Sequence, residues 1–132
     1  MNIAEIMIPK VCTVFLQESD TVRHGMEVIT KHGYTAVPVL DGAQRYVGSI
    51  TEGDLLRHVM SVGTTDGQVL EYCSIGKLIR RDFCPALPID AEEKDVIDTI
   101  LNQNFVPIVD SRNALCGIVT RRGVIACLSG RK

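Results

Sequence analysis

The 132 residues, 45% hydrophobic and 23% charged, suffice for one compact domain with a real core and have the balance of an ordinary globular chain. Fourteen basic against 16 acidic residues leave a net charge of −2, which argues against a nucleic-acid binder working by broad phosphate neutralisation. No apolar run approaches the roughly 20 residues that cross a bilayer. The opening MNIAEIMIPK has no basic start followed by an apolar stretch, so it does not read as a secretion signal, and the expected setting is the cytoplasm, away from membranes. Five cysteines, Cys12, Cys73, Cys84, Cys116 and Cys127, form an odd set without C-x-x-C spacing. They match neither a zinc site nor a disulfide framework, and are expected as reduced thiols, mostly buried.

Along the chain, residues 3–8 read as a short opening helix and residues 12–16 as a strand. Ser19-Asp20 is placed to cap a helix running to about His32, with Val22, Met26 and Ile29 on one face and Gly33 at its end. Residues 35–40 are a buried apolar strand, Asp41-Gly42 a turn, residues 46–50 the return strand. A helix follows from about Glu52, carrying Leu55, Leu56 and Val59. Residues 61–74 read as a linker, loop-like around Gly63-Thr64-Thr65-Asp66-Gly67. Ser74 is placed to cap a second short helix over 75–79. Asp90 with Glu93 resembles a capping box, and Val96, Ile97, Ile100 and Leu101 form an apolar stripe. Strand, turn and strand follow over 105–109, 110–113 and 115–119, and a last helix starts near Arg121.

The second half repeats the first. Residues 33–59 lie over residues 102–128 without a gap: Val37-Pro38 on Val106-Pro107, Asp41 on Asp110, Gly48 on Gly117, Thr51 on Thr120. Upstream, Cys12 falls on Cys84 with a shift of two or three residues. A period of about 70 residues in two copies is too long and too few for a solenoid, so one pseudo-symmetric domain is expected.

The run Ala36-Val37-Pro38-Val39-Leu40-Asp41, with Gly48-Ser49-Ile50-Thr51-Glu52-Gly53-Asp54, resembles the CBS domain family. So do Val106-Pro107-Ile108-Val109-Asp110 and Gly117-Ile118-Val119-Thr120-Arg121-Arg122-Gly123. The resemblance covers nearly the whole chain and implies an α/β fold: two pseudo-symmetric CBS repeats, β-α-β-β-α each, forming one Bateman module. The repeats are expected at 1–60 and 75–132. The stretches TKHGYTAVPVLD, NFVPIVD and CGIVTRR are also similar to the small standalone CBS proteins of Gram-positive bacteria that bind cyclic di-AMP.

The resemblance implies two clefts between the repeats. The first would set Lys10, Val11, Cys12, Tyr34, Thr35, Ala36 and Pro38 against Thr120, Arg121 and Arg122. The second would set Phe83, Cys84, Pro85, Asn104, Phe105 and Pro107 against Thr51 and Asp54. Arg121 and Arg122 stand where strand gives way to helix; backbone N–H groups there attract anions, and guanidinium groups add charge-assisted contacts to phosphate. The plainer alternative is a solvated helix start. Tyr34 can sandwich a purine, and Phe105 can stack on a base in the second cleft. Asp54 holds the family's ribose-binding position, yet no arginine accompanies Thr51, and Glu52 would repel phosphate. Gly123 stands where the family carries a second ribose carboxylate, which counts against AMP or ATP in the first cleft. It does not count against cyclic di-AMP, whose ribose 3′ oxygens are esterified.

No P-loop, G-x-S-x-G or H-E-x-x-H motif occurs, and His24, His32 and His58 are spaced as surface residues. Asp95 and Asp98 read as a solvated helix face. Cys12 is either a packing residue or a thiol at the cleft. The expectation is a regulatory module without enzymatic activity, cofactor or metal. Its ligand would be cyclic di-AMP or, alternatively, AMP, ADP or ATP; a ligand-free dimerisation module is a further alternative. By resemblance it would form a homodimer through its helices and signal to a separate effector protein, with a Rel-type (p)ppGpp synthetase as a candidate.

Overall fold

The structure is a computed structural model that describes residues 1–63, 66–80 and 82–130. The chain runs α1 (Ile3–Ile6), β1 (Ile8–Pro9), a 3-10 turn (Lys10–Cys12), β2 (Leu16–Gln17), α2 (Val22–His32), β3 (Ala36–Leu40), β4 (Tyr46–Thr51), α3 (Glu52–Val62) and α4 (Gly67–Leu70). A second 3-10 turn (Ile75–Lys77) leads into β5 (Leu87–Pro88), α5 (Glu93–Ile100), β6 (Phe105–Val109), β7 (Leu115–Thr120) and α6 (Arg121–Leu128). This is the expected mixed α/β arrangement of two repeats. In each, a short strand crosses over through a helix to a parallel neighbour and a hairpin follows: β2 beside β3 and β4, β5 beside β6 and β7.

Both hairpins turn on an aspartate. The Asp41 carboxylate accepts from the Ala43 and Arg45 amides at 2.9 and 3.0 Å, and Asp110 does the same for Arg112 and Ala114 at 2.8 and 3.0 Å. These amide donors hold both carboxyls below the usual carboxylate range. Gln44 and Asn113 take the left-handed conformation at the matching position of each turn.

The two sheets are not built from one half of the chain each. β1 pairs with β7, giving a four-stranded sheet in the order β1-β7-β6-β5, while β2-β3-β4 form the other. Ile3 of α1 lies in the second repeat's core with Val96, Ile100, Val106, Ile108, Val119 and Val124. In exchange, Ile75 lies in the first repeat's core with Leu16, Val22, Ile29, Val37, Val39, Ile50, Leu55 and Leu70. A third cluster, Leu40, Tyr46, Val109 and Leu115, joins the hairpins, and Arg45 bridges Ala114.

Several expected boundaries move. Residues 12–16 are not one strand: Lys10–Cys12 form the 3-10 turn, whose exit Thr13 donates to the Pro9 carbonyl at 2.9 Å, and only Leu16–Gln17 pair. The cap of α2 is Thr21, accepting from the His24 amide at 3.0 Å. Asp20 instead accepts from the Gln17 amide and closes the preceding turn. The capping box at Asp90 and Glu93 does not form; Glu92 is the N-cap of α5, without a side-chain bond. Ser74 stands at the N-cap of the second 3-10 turn, also without one. In the expected linker, residues 64 and 65 lie outside the described residues, and α4 brings Leu70 into the first core.

Candidate functional site

Between the repeats lies a cavity of about 210 Å³. Ile8, Val14, Val37, Pro38 and Ile118 supply apolar wall, with Ala36 and Phe105 beside them. Tyr34, Thr35, Asn104 and Thr120 supply polar groups, and Cys12 and Thr13 complete the lining. Asn104 Nδ2 donates to Thr35 Oγ1 at 3.0 Å and clips the two repeats together at this cavity. Tyr34 is held from behind by His32, the rings nearly parallel with centroids 5.6 Å apart. An apolar slot walled by an aromatic ring and rimmed by hydroxyls and an amide suits a planar heterocycle with polar edges. The volume lies below the roughly 300–1,000 Å³ of whole ligand pockets, so it fits one base while the rest of a nucleotide lies outside.

The residues expected in the first cleft divide. Cys12, Tyr34, Thr35, Ala36, Pro38 and Thr120 line the cavity. Lys10 does not: its Nζ donates to Gln44 Oε1 at 2.7 Å and lies 5.5 Å from the Phe15 ring centroid, turned to the hairpin. Val11 is almost fully exposed and lies outside the lining. Arg121 is directed elsewhere, its Nε donating to the Ile100 carbonyl at 3.1 Å while the side chain lines a groove between α5 and α6. The C-terminal carbonyls of α5 attract that guanidinium. Arg122 is exposed at the second position of α6 and makes no hydrogen bond or ion pair among the described residues. Thr120 caps α6, accepting from the Gly123 amide at 3.1 Å, so the amides of Arg121 and Arg122 have no intrahelical acceptor.

Asn104 and Phe105, expected in the second cleft, border this first cavity; only the packing of β6 against β3 reveals that. The rest of the second cleft is already engaged. Asp54 is buried, and with Thr51 it closes a capping box on α3. Its Oδ2 accepts from the Thr51 amide at 2.9 Å, and its Oδ1 takes both Arg57 and Arg80. The turn at Thr51 itself carries no arginine, but the fold brings two to the neighbouring Asp54 carboxylate. Arg57 lies one helical turn on, and Arg80 arrives from a segment distant in sequence. The Arg80 guanidinium lies 3.7 Å from the centroid of the Phe83 ring, a cation–π contact that holds Phe83 beside the carboxylate.

Behind them is a buried polar network. Gln103, aligned with Tyr34, directs its amide inward and donates to the Cys84 sulfur and to the Pro85 and Phe105 carbonyls at 3.2, 3.1 and 3.0 Å. Tyr46 Oη donates to the Cys84 carbonyl at 2.6 Å, so the Ser49 hydroxyl donates to Tyr46. Burial pushes both the Tyr46 phenol and the Cys84 thiol upward. Pro107 is buried in β6. Cys84 is the one buried thiol of the five; Cys12 is exposed and the other three half-buried, so the expectation of mostly buried cysteines fails. Sequence reasoning missed Arg57, Arg80, Tyr46 and Gln103. The i, i+3 spacing of Asp54 and Arg57 was a usable signal; Arg80 left none.

Among the described residues no group of histidine, cysteine or carboxylate side chains could hold a metal ion. No described helix is long and apolar enough to cross a membrane.

Residues 3–61 and 75–130 each match the CBS domain. The cyclic di-AMP receptor B of Bacillus subtilis (strain 168) is 26% identical over 124 residues, covering 94% of this chain and 84% of that protein. Listeria monocytogenes CbpB, solved in complex with c-di-AMP, is 25% identical with a TM-score of 0.86, over 98% of this chain and 96% of that one. A conserved protein of Geobacillus kaustophilus, described as hypothetical, is 26% identical with a TM-score of 0.87, over 98% of this chain and 97% of that one.

Proposed function

The chain belongs to the CBS domain family, and from that premise we propose that it is a nucleotide-sensing regulatory module whose first cleft takes cyclic di-AMP. The observation that carries this reading is the contrast at two aligned helix starts. Thr51 is followed by the buried carboxylate of Asp54, whereas Thr120 is followed by Gly123, leaving the start of α6 without an acid and with Arg122 uncommitted. One adenine enters the cavity between Tyr34 and the apolar wall. The phosphates lie over the α6 amides and Arg122, where helix polarity and the guanidinium both favour negative charge. A cyclic dinucleotide, with its 3′ oxygens esterified, needs no ribose carboxylate there. The curated Bacillus relative and the liganded Listeria structure support the same ligand.

The module is a regulator in this reading, acting in the cytoplasm on a separate effector protein, with a Rel-type (p)ppGpp synthetase as the candidate. Ligand binding shifts the population of the surface the effector recognises.

The test is isothermal titration calorimetry with cyclic di-AMP, AMP and ATP on the wild type, Arg122→Ala and Gly123→Asp. Cyclic di-AMP should bind the wild type in preference to the other two. Arg122→Ala should weaken it about tenfold, the loss of one charge-assisted contact. Gly123→Asp puts a Cβ 3.3 Å from Thr120 Oγ1, a tight contact from which the hydroxyl must shift by a few tenths of an ångström, and sets a carboxylate beside the phosphates; it should weaken cyclic di-AMP further and admit AMP. A preference for AMP or ATP in the wild type, lost on Asp54→Ala, would transfer the function to the second cleft. No heat with any of the three would leave an interaction module without a nucleotide.

A further inference from the structure

We propose that Arg80 is a specificity-determining residue: its side chain fills the second cleft in place of a nucleoside and so confines the ligand to the first. This rests on the reading of the chain as a nucleotide-sensing module and adds what keeps its second cleft from competing. A protein holds a nucleoside with a carboxylate, which accepts from ribose hydroxyls, and with an aromatic face, on which the base stacks. Asp54 and Phe83 offer that pair, and Arg80 uses both. Its Nε lies 3.0 Å from Asp54 Oδ1, and its guanidinium carbon lies 3.7 Å from the Phe83 ring centroid. A guanidinium is planar and carries only donors, so it stacks as a base does and donates as hydroxyls do.

Little of Asp54 is left for a ligand. Of the roughly four acceptor positions on a carboxylate, Oδ2 gives one to the Thr51 amide and Oδ1 gives one each to Arg57 and Arg80. The side chain is only 3% exposed. Arg57 lies on α3 with Asp54 and moves with it, whereas Arg80 comes from the segment that joins the repeats. That segment is held at both ends. Leu78 and Ile79 pack on the first core, and Cys84 is buried. Between them the Phe83 amide donates to the Arg80 carbonyl at 3.1 Å, a turn that sets the two side chains together. The first cleft has no such plug: Gly123 stands where Asp54 does, and about 210 Å³ remains open. Removing the Arg80 side chain frees one position on Oδ1 and bares the Phe83 face. Arg57 and the Thr51 amide still pair the buried acid, so the fold is kept.

Equilibrium dialysis of the full chain with adenosine and with 2′-deoxyadenosine tests this on the wild type, Arg80→Ala, Arg80→Gln and Arg80→Ala/Asp54→Asn. Circular dichroism checks the fold of each variant, and Arg80→Gln serves if the alanine variant does not fold. Loss of the plug should tighten adenosine about tenfold or more, the worth of a hydrogen bond to a charged acceptor. Adding Asp54→Asn should remove that gain, and 2′-deoxyadenosine, lacking one of the two hydroxyls, should show little of it. A wild type that binds adenosine as tightly as the Arg80 variants would overturn the proposal. So would folded Arg80 variants without a gain, a gain that survives Asp54→Asn, or an equal gain for 2′-deoxyadenosine. Cyclic di-AMP is dialysed against the wild type in parallel. Its failure to bind, with the adenosine gain intact, would overturn the reading of the first cleft and leave the closure of the second standing.

Discussion

Where the first repeat carries Tyr34 and Ala36, the second carries Gln103 and Phe105, and the two clefts differ accordingly. Tyr34 is half-exposed at the edge of an open cavity. Gln103 is buried and stitches three groups of the second repeat together. Ile118 leaves an apolar wall; its counterpart Ser49 joins Tyr46 and Cys84 in a closed polar network. Gly123 leaves the start of α6 bare, while Asp54 is surrounded by Thr51, Arg57 and Arg80. A duplicated fold thus keeps one backbone with two different clefts: one side is left as an open cavity, the other satisfies its own polar groups.

The strand β1 is the largest single difference, since it lies on β7 of the second repeat and closes the first cavity through Ile8. Gly117 makes this approach possible; a Cβ there would stand 2.2 Å from the Ile8 carbonyl oxygen and 2.7 Å from Met7 Cγ. Gly117→Ala should displace β1 and cost about 3 kcal/mol in urea unfolding, the upper range for an overpacked site that cannot relax. An unchanged midpoint would mean that β1 is not held against β7.

Truncation at the aligned pair Tyr34 and Gln103 should give opposite readouts. Gln103→Ala removes the donor shared by the buried Phe105 carbonyl, the part-buried Pro85 carbonyl and the Cys84 sulfur, and should cost about 1–3 kcal/mol in stability with little effect on cyclic di-AMP binding. Tyr34→Ala should change stability by no more than about 0.5 kcal/mol, as expected of an exposed position, while weakening the nucleotide. If both variants lost stability equally, the division between an open and a closed cleft would be wrong.

The smallest effect is a one-sided alkaline sensitivity. In the folded chain burial raises the Tyr46 phenol above its ordinary 10.0 and the Cys84 thiol above 9.0. Below about pH 9 both groups stay protonated, folded or unfolded, and stability is unaffected. Above it the unfolded chain loses these protons first, so stability falls as pH rises. Tyr46→Phe should flatten part of that fall between pH 9 and 11, and Leu115→Ala, at the aligned site of the other repeat, should leave its slope unchanged. The opposite result would place the alkaline-sensitive network elsewhere.

Much of the fold was visible in residue pattern. The apolar runs through Val37-Pro38 and Val106-Pro107 announced β3 and β6, and Asp41 and Asp110 announced both turns. Tyr34, Thr35, Ala36, Pro38, Cys12 and Thr120 line the cavity between the repeats. Lys10 and Arg121 do not, because a long flexible cation goes to whichever acceptor the fold brings near. For Lys10 that is Gln44 on a hairpin 34 residues away, and for Arg121 the end of α5.

The amino-acid sequence by itself determined the duplication, the order of strands and helices in each copy, and the asymmetry of Gly123 against Asp54, since all are local patterns or aligned identities. Only the tertiary structure decided that α1 and β1 complete the second repeat while Ile75 completes the first, that Arg80 reaches Asp54, and that Asn104 crosses to Thr35. Each of these joins residues far apart in the chain. What selects such contacts is the burial of apolar surface and the need of every buried polar group for a partner, and neither is written in local spacing.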